Sequence, residues 1–523
     1  MSQFAHDREA RSLPGSDRQA VSGLLVVCTA MLLLGLDNSI LNVALVSLQR
    51  DPTLEAGTTD LQWITDAYPL ALAGLVLACG RLGDRFGRRR TFLLGTGVCA
   101  LASAYGALGD TPGDLIAARA GMGVGAAFLM PATLSLTTDL FRGRRGARKA
   151  LAAWTASASI GLVLGPALGG WLLEHFSWRA GFWVNVPICA GLLLAARPTL
   201  PATRDSRGRR IDLLSTVLGI VTLTVFVHSV ISAPHRGWTN LYTLAELGSA
   251  ACVGALYARR ERRLPAPSLP LNLLRQRRYA GSVTVLVLLF FGLAGMGFVI
   301  ALHLQGVLGY TPLEAGVRLL PCAGGAVAGS VFSLVLGGRT VAAAIGAGLA
   351  AVGYLILATG WAQTGYGPVL AALVLVGCGV GMAAVPCTEI VMGAAGPDDT
   401  GTAAAMNDTT RAVGSSLGIA VLGSVVNTVY SDRMTGYGAA LSQSPGKALI
   451  PQRAGSLPPG DLAATVGAAR DSFAHAVAVA SWPAAAGSVV AACAAWFLIC
   501  RRPVTWRTAS PSPLHAEPEG SAL

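Results

Sequence analysis

Two ionisable residues stand in stretches that are otherwise apolar. Asp37 lies in LLLGLDNSILNVALV (32–46), and Arg119 lies in LIAARAGMGVGAAFLM (115–130). A carboxylate in such a run is costly unless it is protonated, paired or hydrogen-bonded. Asp37 is therefore a candidate proton carrier, or else a structural carboxylate capped by Asn38, Ser39 or Asn42. An arginine does not usefully lose its proton. Arg119 should instead pair with an acid, Asp37 among them, or with backbone carbonyls, and so bias a carboxylate rather than carry the proton. Asp66, in WITDAY (63–68), is a third candidate. An acid facing a cavity attracts a lipophilic cation and exchanges it for a proton; an acid at a boundary merely faces water. Trp63, Tyr68 and Asn42 are the candidate lining of such a cavity, although aromatic residues of this kind are more often core or interfacial anchors. Further polar candidates are Glu389, the pair Asp408 and Arg411, and the pair Glu314 and Arg318. The spacing of each pair puts both members on one helix face, where they are expected to meet.

No pattern for covalent catalysis accompanies these residues. There is no GxSxG elbow, no GxxxxGK[ST] phosphate loop and no CxxC metal pair. The ten cysteines fall in or at the edges of apolar runs, so no disulfide framework is expected. The expectation is a chain that is not an enzyme and needs no metal or cofactor.

The elements that must position these groups follow from composition. Of 523 residues, 53% are hydrophobic and only 13% charged, with mean hydropathy +0.56; a soluble domain carries about 25% charged residues. Gly, at 64 residues, suits close helix packing in lipid. The fold class is an all-α polytopic membrane protein. Runs long enough to span fall near 22–48, 60–80, 91–110, 113–137, 151–173, 180–197, 212–231, 242–258, 279–303, 314–337, 341–361, 368–392, 403–427 and 474–499. The first is long and lacks a cleavage signal, so it is expected to be retained as a spanning helix. The stretch 428–472, rich in Gly, Ser, Ala and Pro, reads as one long extracytoplasmic loop. The last twenty residues and roughly the first eighteen read as disordered.

Charge sorts the connections. Most of the 39 Lys and Arg fall before the first span, in 81–90, 138–150, 197–211 and 259–278, and in the tail. The alternate segments hold only Arg50, Arg179, Arg236, Arg433, Lys447, Arg453 and Arg470. This bias predicts a plasma-membrane protein with both termini in the cytoplasm. It also removes nucleic acid as a partner, because the basic clusters alternate with hydrocarbon-length helices and carry no interleaved aromatics.

One basic connection has a specific pattern: GRLGDRFGRRR (80–90), with Gly80, Asp84, Arg85, Gly87, Arg88 and Arg89. It resembles the signature loop of the major facilitator superfamily. LDNSILNVAL (36–45) resembles the first-helix motif of the fourteen-helix drug:proton antiporters, with Val46 in place of a common proline. RAGMGVGAAFLMP (119–131) resembles the family's arginine motif, with Met122 where glutamine is usual. GLVLGPALGG (161–170) resembles the antiporter motif through Gly161, Gly165, Pro166, Gly169 and Gly170. SWRAGFWVNVP (177–187), GYTPLEAG (309–316) and NDTTRAVGSSLGIAVLG (407–423) extend the resemblance over roughly residues 22 to 500.

The resemblance implies two six-helix bundles, 22–197 and 279–499, around a cavity that opens alternately to each side. Two additional helices (212–258) and a basic cytoplasmic loop (259–278) lie between them; 1–21 and 500–523 are cytoplasmic tails. It implies proton coupling through Asp37 and Arg119, and a gate at the 80–90 loop, where Asp84 meets Arg85, Arg88 or a neighbouring helix end. The expected activity is export of a small amphipathic or cationic drug or antibiotic in exchange for protons, with the bilayer and protons as partners and the monomer as the working unit. Transport of a specific endogenous metabolite and a non-transporting sensor or assembly protein are the alternatives.

Overall fold

The computed structural model describes residues 17–500, apart from 55, 142–145, 203–211, 265–272, 337–338, 360–364, 395–399 and 438–458. Both terminal segments expected to be disordered lie largely outside the described residues. Among the described residues, fourteen helices are long and apolar enough to cross a membrane. In chain order they are α1 Asp17–Arg50, α2 Thr58–Phe86, α3 Arg88–Leu108, α4 Pro112–Leu140, α5 Ala147–His175, α6 Asn185–Thr199, α7 Leu213–Arg236, α8 Leu241–Glu261, α9 Arg277–Gly306, α10 Pro312–Val335, α11 Arg339–Ala358, α12 Tyr366–Gly393, α13 Thr400–Met434 and α14 Pro459–Ala494. A short helix, Arg179–Trp183, leads into α6, and α14 runs on to Cys500 as a wider coil. The stretch read as a 428–472 loop is helical at both ends: α13 continues to Met434, and α14 begins at Pro459, well before its apolar part.

Local sequence sets where these helices begin. Thr111 and Thr311 each open a helix with a reciprocal capping box, closed by Asp114 and Glu314, and each is followed by a proline that cannot donate a backbone hydrogen bond. Glu314 is thus engaged in helix initiation: its carboxylate accepts from the Thr311 N–H at 3.0 Å. Gly87, at φ 101°, separates α2 from α3, and its N–H donates to the Gly83 carbonyl at 2.9 Å. Only glycine adopts that conformation without strain.

The packing repeats itself. Helix α1 packs on α5, α2 on α4, α3 on α4 and α6, and α1 on α6; eight helices later, α9 packs on α13, α10 on α12, α11 on α12 and α14, and α9 on α14. The two bundles meet through α5 with α10 and α2 with α13, again equivalent pairs. Helix α7 touches both α2 and α13, whereas α8 packs mainly on α7. Lipid tails give no hydrophobic drive for helices to associate, so close backbone approach does much of the work. A side chain at Gly161 would run into the Leu32 carbonyl of α1, and one at Gly377 into the Cys322 carbonyl of α10.

Candidate functional site

A cavity of about 300 Å³ lies between the bundles. Its wall includes Asn38 and Asn42 from α1, Tyr68 from α2, Arg119 from α4, Phe290 from α9 and Asp408 from α13. Asp37 and Arg119, far apart in sequence, form a buried ion pair at its edge, Nη1 to Oδ2 2.7 Å, with 7% and 1% of each residue exposed. The Arg119 guanidinium also lies 4.6 Å from the centre of the Tyr68 ring. The second carboxylate oxygen accepts from Asn185 Nδ2 at 3.1 Å, and that amide also reaches Ser103 Oγ at 3.1 Å. Both charges have left water, which costs several kcal/mol per ion. The pair, the amide and the aromatic face offset that cost. Neither charge can change without disturbing the other.

The capping partners expected for Asp37 are not the ones found. Ser39 Oγ donates instead to backbone carbonyls, Gly35 at 2.9 Å and Leu36 at 3.1 Å, because α1 turns that face toward α5. Asn38 and Asn42 face the cavity. Asn185 does the capping and was missed by residue-level reasoning. Its signal was available: an amide flanked by Val184 and Val186 at the head of an apolar run.

Asp66 is placed differently from its expected role. It is fully buried on the face of α2 that meets α13, opposite Ser416. Neither carboxylate oxygen completes a hydrogen bond. The reason is helical phase: Thr65, Tyr68 and Pro69 turn to the cavity, whereas Gln62 and Asp66, one turn apart, turn to the seam. Gln62 Nε2 there reaches the carbonyls of Ile419 and Ala420, both at 3.4 Å. Trp63 also leaves the cavity and packs on His228 of α7, ring centres 5.8 Å apart.

Asp408 and Arg411 share a helix but form no ion pair. Arg411 Nη2 donates to Thr388 Oγ1 at 2.9 Å and its guanidinium lies 5.2 Å from the Phe290 ring centre. Asp408 accepts only from Asn407 Nδ2, at 3.4 Å, and looks into the cavity. Arg318 stacks over Tyr310, 3.7 Å from the ring centre, and Tyr366 donates to its carbonyl at 2.8 Å. With Glu314 closing the α10 cap, this pair serves the helix end. Glu389 is exposed on α12.

At the basic turn, Arg88 pairs with Asp139 at the end of α4, Nη1 to Oδ2 2.6 Å. Arg89 donates to the carbonyls of Arg197 and Leu200 where α6 ends, both at 3.4 Å. Arg85 lies against the Phe86 ring, and Gly80 passes Pro131 of α4. The side chain of Asp84 lies outside the described residues. Asp139 was not singled out from sequence, although it is an acid beside a basic loop. Its substitution, Asp139→Asn, should leave expression intact and slow transport about threefold to tenfold, since a partly buried charge-assisted bond contributes about 1.5–3 kcal/mol in one state of the cycle and part of this is recovered by the amide. Transport rates in cells matched for protein amount test this.

The antiporter motif divides between two contacts. Gly161, Gly165 and Gly169 seat α5 on α1, against Leu32, Ser39 and Ile40. Gly170 faces Leu313 of α10, and the carbonyl of Pro166 faces Gly316, so this part of the motif forms the seam between bundles. Gln305 Nε2 adds a bond to the Val43 carbonyl at 2.9 Å. These contacts and the Gln62 contact lie on the side opposite the 80–90 turn.

The sequence model of the Major Facilitator Superfamily matches residues 27–419. The chain is 35% identical to the multidrug efflux pump LfrA of Mycolicibacterium smegmatis over 78% of this chain and 81% of that one. It is 35% identical to the puromycin resistance protein of Streptomyces alboniger, with 84% and 87% covered. It is 34% identical to the cephamycin export protein of Amycolatopsis lactamdurans, with 82% and 89% covered. Among solved structures, a bacterial homologue of the human lysosomal transporter Spinster superposes with a TM-score of 0.62 at 17% identity, over 92% of this chain and 98% of that one, and so shares the fold. A duplicated six-helix packing, an added helix pair and relatives of this kind together give one conclusion: the chain belongs to the major facilitator superfamily, in its fourteen-helix drug-efflux branch.

Proposed function

We propose that this secondary transporter exports amphipathic, cation-bearing compounds, antibiotics among them, in exchange for protons. The observation that carries the reading is the arrangement of charge around the cavity. The Asp37–Arg119–Asn185 cluster sits in the N-terminal bundle, Asp408 looks in from the C-terminal bundle, and mostly apolar side chains line the wall between. Such a cavity suits a molecule with an apolar body and a positive end. The named relatives, which are efflux and resistance proteins, support the same direction of transport.

In the cycle we infer, the 80–90 turn faces the cytoplasm, in keeping with the basic segments on that side. The seam contacts at Gly170, Gly316, Gln305 and Gln62 then close the outer side, and the cavity receives substrate from within. Rocking of one bundle against the other opens the outer side. A proton arriving from outside neutralises Asp37 and releases Arg119. The pair re-forms when the proton leaves to the cytoplasm. Arg119 contributes its fixed charge, which makes the deprotonated state of Asp37 tolerable in an apolar setting. No ATP and no cofactor enters this scheme.

Asp408 is assigned the contact with the positive end of the substrate. Asp408→Asn should weaken handling of cationic compounds by roughly tenfold to a hundredfold, the loss of one charge-assisted bond of about 1.5–3 kcal/mol, while neutral compounds change little. Asp66→Asn, by contrast, should affect cationic and neutral compounds alike, because its side chain meets α13 and not the cavity. A panel of toxic compounds on cells carrying each variant separates the two. Equal losses in Asp408→Asn, or a cation bias confined to Asp66→Asn, would reverse the assignment. A wild-type chain that protects cells from no compound in the panel would remove the export reading itself.

A further inference from the structure

A second cavity, about 620 Å³ in volume, lies away from the transport path, between the added helices α7 and α8 and the bundles. It runs from Ser215 to Phe226 along α7 and from Tyr257 back to Leu247 along α8, and its inner wall includes Gly74 of α2 and Val413 of α13. The eleven helical steps from Ser215 to Phe226, at about 1.5 Å each, give about 16 Å. The hydrocarbon core is about 30 Å thick, so the crevice matches the depth of one leaflet. It is apolar through most of that depth. Ser215 and Thr216 stand at the end nearest the basic turn, with Thr222 further in; the Ser215 hydroxyl is fully buried, lines the crevice and has no partner.

Charge collects just beyond that end. Arg260 is held by Asp212 in two bonds, Nε to Oδ2 2.9 Å and Nη2 to Oδ1 3.0 Å. This fork holds the Asp212 carboxyl below its ordinary range and ties the start of α7 to the end of α8, fixing the mouth. Arg259, in the last turn of α8, and Arg262 and Arg263, just after it, are exposed. Arg81 and the buried Glu261 both lie within electrostatic reach of Tyr257. Among the described residues at this end of α7 and α8 and in the basic turn, these five arginines stand against two acids, a positive balance.

We infer that this crevice holds an anionic phospholipid of the turn-side leaflet. One acyl chain lies between the α7–α8 pair and the wall formed by α2 and α13, and the phosphate sits among Arg259, Arg262 and Arg263. Leaflet depth selects an acyl chain, and the positive mouth selects a negative headgroup. The position gives the lipid a consequence. Helix α13 presents Thr409 and Val413 to the crevice and Asp408 and Ala412 to the transport cavity. The lipid therefore backs the two helices whose seam opens in each cycle, and the added helix pair serves to hold it there.

Native mass spectrometry of the purified full-length protein in non-ionic detergent tests this, with phosphatidylglycerol and phosphatidylcholine as the two probes. One phosphatidylglycerol should be retained per chain, with a preference on the order of tenfold over phosphatidylcholine. The triple variant Arg259→Gln, Arg262→Gln, Arg263→Gln, whose changes are all at exposed positions, should lose that preference. Gly219→Leu, which fills the crevice, should lose retention of both lipids. Equal retention of the two lipids by the wild type overturns the inference. So does a phosphatidylglycerol preference that survives in the triple variant, or undiminished retention in folded Gly219→Leu protein. Lipid retention is read without transport, so its failure leaves the proposed export activity standing.

Discussion

Asp37→Asn is expected to abolish proton-coupled export while the protein still folds and inserts. The asymmetry comes from what the amide keeps and what it loses. Its carbonyl oxygen can still accept from Arg119, which lies 2.7 Å from the carboxylate, so the guanidinium is not left without a partner. Complete removal of one member of a buried pair, as in Asp37→Ala, strands the other charge and costs about 3–5 kcal/mol. Asparagine avoids most of that cost, but it binds no proton in the working pH range. The variant is therefore fixed in the neutral form that the cycle reaches only when protonated. Substrate binding should persist within a few-fold, because the cavity lining is unchanged. Net export against a gradient should fall to the level of cells lacking the protein. Near-normal export by Asp37→Asn would move the proton to another carboxylate, with Asp66 the first to examine. Asn185→Ala should act in the same direction but less strongly, since it removes one neutral hydrogen bond to Asp37, about 0.5–1.5 kcal/mol.

Gly316→Leu is expected to stop the cycle by a different route. Gly316 packs against the carbonyl of Pro166 across the bundle seam, and Gly170 packs against Leu313 beside it. Both partners are backbone, which cannot rotate aside as a side chain can. Leucine at 316 therefore destabilises the state in which this side is closed, and overpacking alone costs about 1–3 kcal/mol. Each 1.4 kcal/mol shifts a two-state population about tenfold. The expected outcome is a folded transporter held open on the side opposite the 80–90 turn, with export reduced tenfold or more. Labelling of single cysteines introduced along the cavity should show greater access from that side than in the wild type. Unchanged access with full export would mean that the α5–α10 contact is ordinary packing with no part in gating.

Much of this organisation was legible in the chain because membrane helices announce themselves by length and composition. Fourteen apolar runs became fourteen helices, and the glycine spacing of 161–170 marked a face for close approach. The Asp37–Arg119 pair was also within reach, since two costly charges in lipid need each other. Helical phase and third-body choices were harder to read. Asp66 lies one residue from Thr65 and two from Tyr68, yet a rotation of about 100° per residue takes it from the cavity to the seam. Asp408 and Arg411 have the spacing of a pair, but Thr388 and the Phe290 ring offer the arginine a partner on other helices, which no local pattern contains. Asn185 and Asp139 escaped because an amide or a single acid at a helix end is common. Their meaning comes only from what tertiary packing sets beside them.

The central claim, that substrate leaves in exchange for protons through Asp37, is tested most directly in proteoliposomes loaded at acid pH with a pH-sensitive dye. Addition of a cationic substrate should cause proton release from the vesicles, saturating with substrate concentration, and Asp37→Asn protein in parallel vesicles should release none. Substrate uptake without proton movement, or release of the same size from the Asp37→Asn vesicles, would contradict it.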